Sequence, residues 1–202
     1  YYEINPNDFY IFTFVRNPFD RVVSRYTHLQ RIANDLKEGN WKVAKDMKNK
    51  IVLQKKTKIR HIHLGTLELK LIALYLNLND EQKTSAFFQE FTSVSFADFT
   101  KFIINEFGIQ NEPHYETQTD KFERQVITLD NINYIGRYEN LQEDFNSVLE
   151  KLNLPKTTLG HVNKSKTSSK HYSEFYDDET RQIVEAEYSK DLVNFDYYFE
   201  SK

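Results

Sequence analysis

The chain has 202 residues, 39% hydrophobic and 15% aromatic, with a net charge of −3. That length fits one domain, residues 1–202, with a core drawn largely from 16 Phe and 13 Tyr. A mean hydropathy of −0.69 and the lack of any run near the roughly 20 apolar residues of a membrane helix exclude a membrane segment in this chain. A pI near 6.1 excludes a general nucleic-acid binder, and the absence of cysteine excludes disulfides and thiolate metal sites.

In chain order, Phe9 to Val15 is a short apolar run of aromatic and β-branched residues, which predicts a strand covered on both faces. Arg16 stands at its carboxyl end. Asn17 suits a helix cap, Pro18 the first helical position and Asp20 the first turn. In the helix that follows, spacing of about 100° per residue puts Phe19, Val22, Val23, Tyr26 and Ala33 on one face. Ser24 falls off that face, near Asp20, Thr27 and Arg31. Gly39-Asn40 is a break, and Trp41 to Lys56 predicts a second helix inside a basic stretch from Lys37 to Arg60. Leu64 to Leu78 is apolar at mixed spacing. Ser95 opens a predicted helix through Phe107, stopped by Gly108.

Asn111 to Asp120 is expected to be a polar loop, and Gln125 to Leu129 a strand. Tyr134 to Arg137 predicts another strand, followed by a helix from about Leu141 to Leu152, with Pro155 beyond it. Gly160 to His171 is a Ser/Thr/Lys loop. Asp177-Asp178-Glu179 begins a last helix running to about Lys190. Strands alternating with helices predict an α/β fold with a mostly parallel sheet flanked by helices.

The run FTFVRNPFDRVVSRY resembles the 3′-phosphate-binding motif of the carbohydrate sulfotransferases, the group that includes the heparan 2-O- and chondroitin sulfotransferases and bacterial relatives. These use PAPS (3′-phosphoadenosine 5′-phosphosulfate) as sulfuryl donor. The resemblance implies that Arg16 and Ser24 hold the donor's 3′-phosphate. NYIGRYENLQEDFNSVLEKLNLP (residues 133–155) resembles the family's later strand and helix. The segment from His161 to Phe199 resembles its C-terminal part, where a loop closes over the nucleotide. The resemblance is weakest between Asn34 and Asn111. Relatives carry a phosphate loop near the N-terminus. Here no glycine precedes Gly39 and no GxxxxGK[ST] occurs, so a P-loop-like sheet lacking its N-terminal strand and phosphate loop is expected.

The residues themselves leave choices open. Arg16 binds a phosphate bidentately or pairs with Asp20 or Glu3. Arg137, at a strand's carboxyl end where ligands bind in α/β sheets, contacts donor or acceptor, or pairs with Glu139 or Glu143. Asn163, Lys164 and Ser165 fall in the loop that, by resemblance, folds over the nucleotide; otherwise they form a solvated polar loop. His114 is a candidate base for the acceptor hydroxyl; the resemblance also allows a base upstream of Tyr1. His61 and His63 make only an incomplete metal site, so no metal is expected.

The expected function is transfer of a sulfuryl group from PAPS to a carbohydrate hydroxyl, releasing PAP (3′,5′-bisphosphoadenosine), by a bacterial protein that is cytoplasmic or membrane-associated through segments outside this chain; the chain as given is expected to have little activity alone. The alternatives are a catalytically inactive nucleotide- or glycan-binding module of the same fold and, third, a P-loop kinase relative.

Overall fold

The structure, a computed structural model, describes residues 5–38, 93–109, 115–123, 128–160 and 170–202. Within these residues the elements run β1 (Phe12–Val15), α1 (Pro18–Lys37), α2 (Phe96–Lys101), a π-helical turn (Phe102–Phe107), α3 (Gln118–Glu123), β2 (Tyr134–Arg137), α4 (Leu141–Lys151), α5 (Asp178–Glu187) and α6 (Ser189–Asn194). This is a helix-rich α/β fold with a small parallel sheet. The chain divides into two compact units, residues 1–21 with 116–202, and residues 22–115.

In the first unit β1 and β2 pair in parallel, with Phe12 opposite Tyr134 and Val15 opposite Arg137. Parallel neighbours need a long crossover, and here more than a hundred residues separate them. Asn133 starts the ladder: its side chain accepts from the Ile11 amide at 2.7 Å and its own amide donates to the Ile11 carbonyl at 2.8 Å. Gly136 faces Phe14 so closely that a Cβ there would lie 2.6 Å from the ring and 3.1 Å from Asp144 Cβ. A bare backbone lets the aromatic side chain of β1 lie over β2. At the strand ends Val15 is buried with Phe195 and Tyr197, against Phe122, Leu129 and Leu192. A second aromatic group joins Phe19 to Tyr176 (5.4 Å between centroids), to Phe199 (5.0 Å) and, stacked, to Tyr172 (6.4 Å). Its edge-to-face members are in the favoured geometry for rings.

Helix α1 begins in the first unit as its sequence predicts. Asn17 Oδ1 accepts from the Phe19 amide at 3.1 Å, and the Asn17 carbonyl accepts from Arg21 at 2.9 Å. In the second unit Val22, Val23 and Ala33, from the face read from the sequence, are buried, and Leu29 and Ile32 are buried as well. Tyr26 packs on Phe96 and Phe99 at 5.4 and 5.2 Å and donates its hydroxyl to the Val94 carbonyl at 2.8 Å. Ser95 caps α2 by accepting from the Asp98 amide. The helix predicted to Phe107 does reach it, but as an α-helix only to Lys101 and then as the π turn; Gly108, at φ 80°, ends it, a conformation glycine adopts without a Cβ penalty.

Four expectations are corrected. The strand predicted from Phe9 with both faces covered begins at Phe12, and both Phe9 and Phe12 are exposed. Gln118 to Asp120 belong to α3 rather than to a loop. Thr117 Oγ1 accepts from the Asp120 amide at 3.0 Å, so the TQTD run is a capped helix start, which polarity alone concealed. Leu129 opens a 3₁₀ turn (Leu129–Asn131) instead of ending a strand; residues 125–127 lie outside the described residues. The last predicted helix stops at Glu187 and a second, α6, starts at Ser189. The predicted helix Trp41–Lys56 and the segment Leu64–Leu78 lie outside the described residues. Among the described residues no helix is long and apolar enough to cross a membrane.

Candidate functional site

The bend from β1 into α1 carries Arg16. Side chains from distant positions hydrogen-bond the peptide groups on either side of it. Three segments of the first unit supply them. The Val15 carbonyl lies 3.2 Å from the Tyr197 hydroxyl. The Arg16 amide donates to Gln118 Oε1 at 2.9 Å, and the Arg16 carbonyl accepts from Gln118 Nε2 at 2.9 Å. The Asn17 amide donates to Glu139 Oε1 at 2.8 Å. Asn17, itself buried, donates its Nδ2 to the Tyr198 carbonyl at 3.1 Å. Glu139 lies two residues past the end of β2, and its other oxygen accepts from the Tyr197 hydroxyl at 2.8 Å. Burial first, and the adjacent Glu139 carboxylate second, push the Tyr197 phenol well above its ordinary range, so it is a donor at any physiological pH.

The Arg16 side chain has 23% of its surface exposed. It forms the ion pair with Asp20 that the sequence offered as one of two choices, Nε to Oδ2 at 2.7 Å. Its guanidinium also lies 4.4 Å above the Tyr138 ring. A salt bridge through Nε and a ring beneath the plane hold the fork in one orientation. Arg137 donates Nη2 to the Phe195 carbonyl at 2.9 Å and lies 4.7 Å over the Tyr197 ring. Among the described residues its guanidinium pairs with Asp196, Nη2 to Oδ2 at 3.9 Å, rather than with the Glu139 or Glu143 suggested by sequence proximity.

A cavity of about 410 Å³ opens at this edge, bounded by Asn17, Asp20, Arg137, Glu139, Tyr172 and Glu200, among others. Its volume lies in the range of small-molecule sites. It sits where the carboxyl ends of β1 and β2 meet the start of α1, the edge at which α/β folds bind ligands. Lys170 and His171 also line it, and they follow in sequence the loop expected to cover a nucleotide. Of the predicted site residues, Arg137 borders this cavity, and Arg16 is bonded to Asp20, which borders it. Ser24 is partly buried on α1 in the second unit, with its carbonyl accepting from Thr27 Oγ1 at 3.1 Å. His114, Asn163, Lys164 and Ser165 lie outside the described residues, as do His61 and His63. Among the described residues no cluster of His, Asp or Glu is arranged to hold a metal ion.

Residues 2–198 match the sulfotransferase family. The chain therefore belongs to that family, as the FTFVRNPFDRVVSRY run led one to expect. No curated protein and no solved structure matches it. Sequence reasoning missed Gln118, Asp191 and Tyr197, which hold the Arg16 bend from a distance. Only the capped TQTD start gave a local signal for any of them.

Proposed function

We propose that this sulfotransferase moves the sulfuryl group of PAPS to a hydroxyl of a carbohydrate. The reading is supported above all by Arg16: a fixed guanidinium at the carboxyl end of β1, beside the start of α1, within the motif that resembles a 3′-phosphate site. A helix N-terminus and an oriented arginine both favour a phosphate. Helical spacing along α1 sets Ser24 one turn beyond Asp20, and Ser24 is assigned as the hydroxyl partner of the same phosphate. Arg137, Asn163, Lys164 and Ser165 are assigned to the rest of the nucleotide.

In the transfer, the acceptor oxygen forms a bond to sulfur while the bond from sulfur to the bridging oxygen of the donor breaks in line. A base takes the hydroxyl proton, and PAP leaves with the bridging oxygen. His114 is the residue of this chain assigned to that proton, by the suitability of imidazole near neutral pH. Arg16 and Ser24 do no bond chemistry; they hold the donor so that the acceptor meets it in line, which is a large part of such a rate enhancement.

The test is calorimetric titration with PAP together with transfer of labelled sulfate to a glycan panel. Arg16→Ala is expected to weaken PAP binding by about 1.5–3 kcal/mol, the worth of hydrogen bonds to a charged group. Equal PAP affinity in Arg16→Ala would remove the donor assignment. PAP binding without transfer to any glycan would leave an inactive binding module.

A further inference from the structure

We infer that Gln118 is a positioning residue for the donor-binding arginine, acting on Arg16 through its main chain and braced by Asp191. The inference rests on the reading of Arg16 given above.

The geometry is specific. A glutamine side chain carries one amide, and here both ends of that amide are used on one residue. Oε1 accepts from the Arg16 amide and Nε2 donates to the Arg16 carbonyl, each at 2.9 Å. That is the two-bond exchange between facing residues of an antiparallel ladder, made by a side chain. It extends the hydrogen bonding of β1 by one residue, just past the last register pair, Val15 with Arg137. The orientation of the amide is fixed by its partners. Turned over, it would set amide hydrogens against the Arg16 N–H and its oxygen against both the Arg16 carbonyl and a carboxylate.

That carboxylate is Asp191 on α6, with none of its surface exposed. Its Oδ2 accepts from the Gln118 amide at 2.7 Å and lies 3.4 Å from Gln118 Nε2. Its Oδ1 accepts from the Thr119 amide at 2.8 Å. Arg21 Nη1 lies 3.7 Å from Oδ2 and offsets the buried charge. A carboxylate at the first amides of α3 is also favoured by the helix dipole. Asp191 thus fixes the backbone of Gln118, and Gln118 fixes the backbone of Arg16. Gln118 is itself 9% exposed, so water is a poor substitute for its bonds. Without them the flanking groups keep Glu139 at Asn17 and Tyr197 at Val15, but the two bonds at Arg16 itself are lost. The backbone from which the guanidinium is set against Asp20 and Tyr138 would then shift, and small misplacements cost much in a preorganised site.

The experiment is a double-mutant cycle on PAP affinity, measured by calorimetry on the full chain. Gln118→Met keeps the length and apolar volume and removes the amide. In the parent it is expected to raise the PAP dissociation constant about tenfold; in the Arg16→Ala background it is expected to change it less than about twofold, because the residue it acts through is gone. A tenfold loss in both backgrounds, or a fall in the thermal midpoint with no change in PAP affinity, overturns the inference and leaves Gln118 a structural residue. Unchanged PAP affinity in Arg16→Ala alone overturns the donor reading instead. Should Gln118→Met fail to fold, Asp191→Asn is carried through the same cycle, with the same two outcomes.

Discussion

Removing a single oxygen from Tyr197 tests the architecture of the Arg16 bend. Tyr197→Phe keeps the ring that is buried with Val15 and Phe195 and that supports the Arg137 guanidinium at 4.7 Å. What it loses is one hydroxyl. That hydroxyl has one proton and two acceptors within reach, Glu139 Oε2 at 2.8 Å and the Val15 carbonyl at 3.2 Å. The shorter contact is to a charged group, where a hydrogen bond contributes about 1.5–3 kcal/mol. The Val15 carbonyl is left without that contact as well, while Glu139 retains the Asn17 amide at 2.8 Å. A destabilisation of about 2 kcal/mol is therefore expected. In urea, with a slope of about 2 kcal/mol per molar, the unfolding midpoint should drop by about 1 M. Circular dichroism or tyrosine absorbance reads the transition, and a cycle with Glu139→Gln isolates the pair; their coupling should be about 1 kcal/mol or more. A Tyr197→Phe variant within about 0.5 kcal/mol of the parent, the range of an ordinary surface substitution, would refute the account of how this bend is held.

Gly136→Ala should destabilise the chain by about 1–3 kcal/mol as an overpacking change, since its new methyl would sit 2.6 Å from the Phe14 ring; pairing it with Phe14→Leu should recover part of the loss, and a thermal midpoint equal to the parent's would count against the close approach of β1 and β2. Stability should fall as the pH rises past about 10: burial raises the phenols of Tyr176, Tyr188 and Tyr197 in the folded chain, so above the ordinary tyrosine value the unfolded chain gives up protons the folded chain keeps, and unfolding gains. Below pH 9 the same groups add no slope. Tyr188→Phe should make the alkaline limb of a urea-midpoint titration shallower, and an unaltered limb would show that this phenol ionises normally.

How much of this was legible in the sequence depends on the range of the forces. The cap at Asn17, the start of α1 at Pro18 and the strand Tyr134–Arg137 are set by neighbours in sequence, and they were read with the bounds the fold has. The apolar face of α1 was equally plain, because its period is that of the helix. The site was only half legible. Arg16 stands out as a charge at the end of an apolar run, but both of its readings, phosphate ligand and partner of Asp20, fit the spacing, and the ion pair is the one the described residues form. The groups that hold its backbone come from Gln118, Glu139 and Tyr197, between 102 and 182 residues away. No periodicity marks such residues, since each is chosen by one distant partner. Gln118 was hidden further because a polar helix start and a polar loop have the same composition.

The last residues of the described chain return to its first strand. Tyr197 reaches Val15, the Tyr198 carbonyl takes the Asn17 side chain, and the Glu200 amide donates to Tyr172 at 2.8 Å. On the ribosome, the stretch that carries Arg16 emerges long before its fasteners do. At about 5–20 residues per second, the 182 residues between Val15 and Tyr197 take roughly 10–40 s to synthesise. During that interval the Arg16 bend lacks the distant partners that hold its backbone, so the bend takes its final form only after Tyr197 has been made.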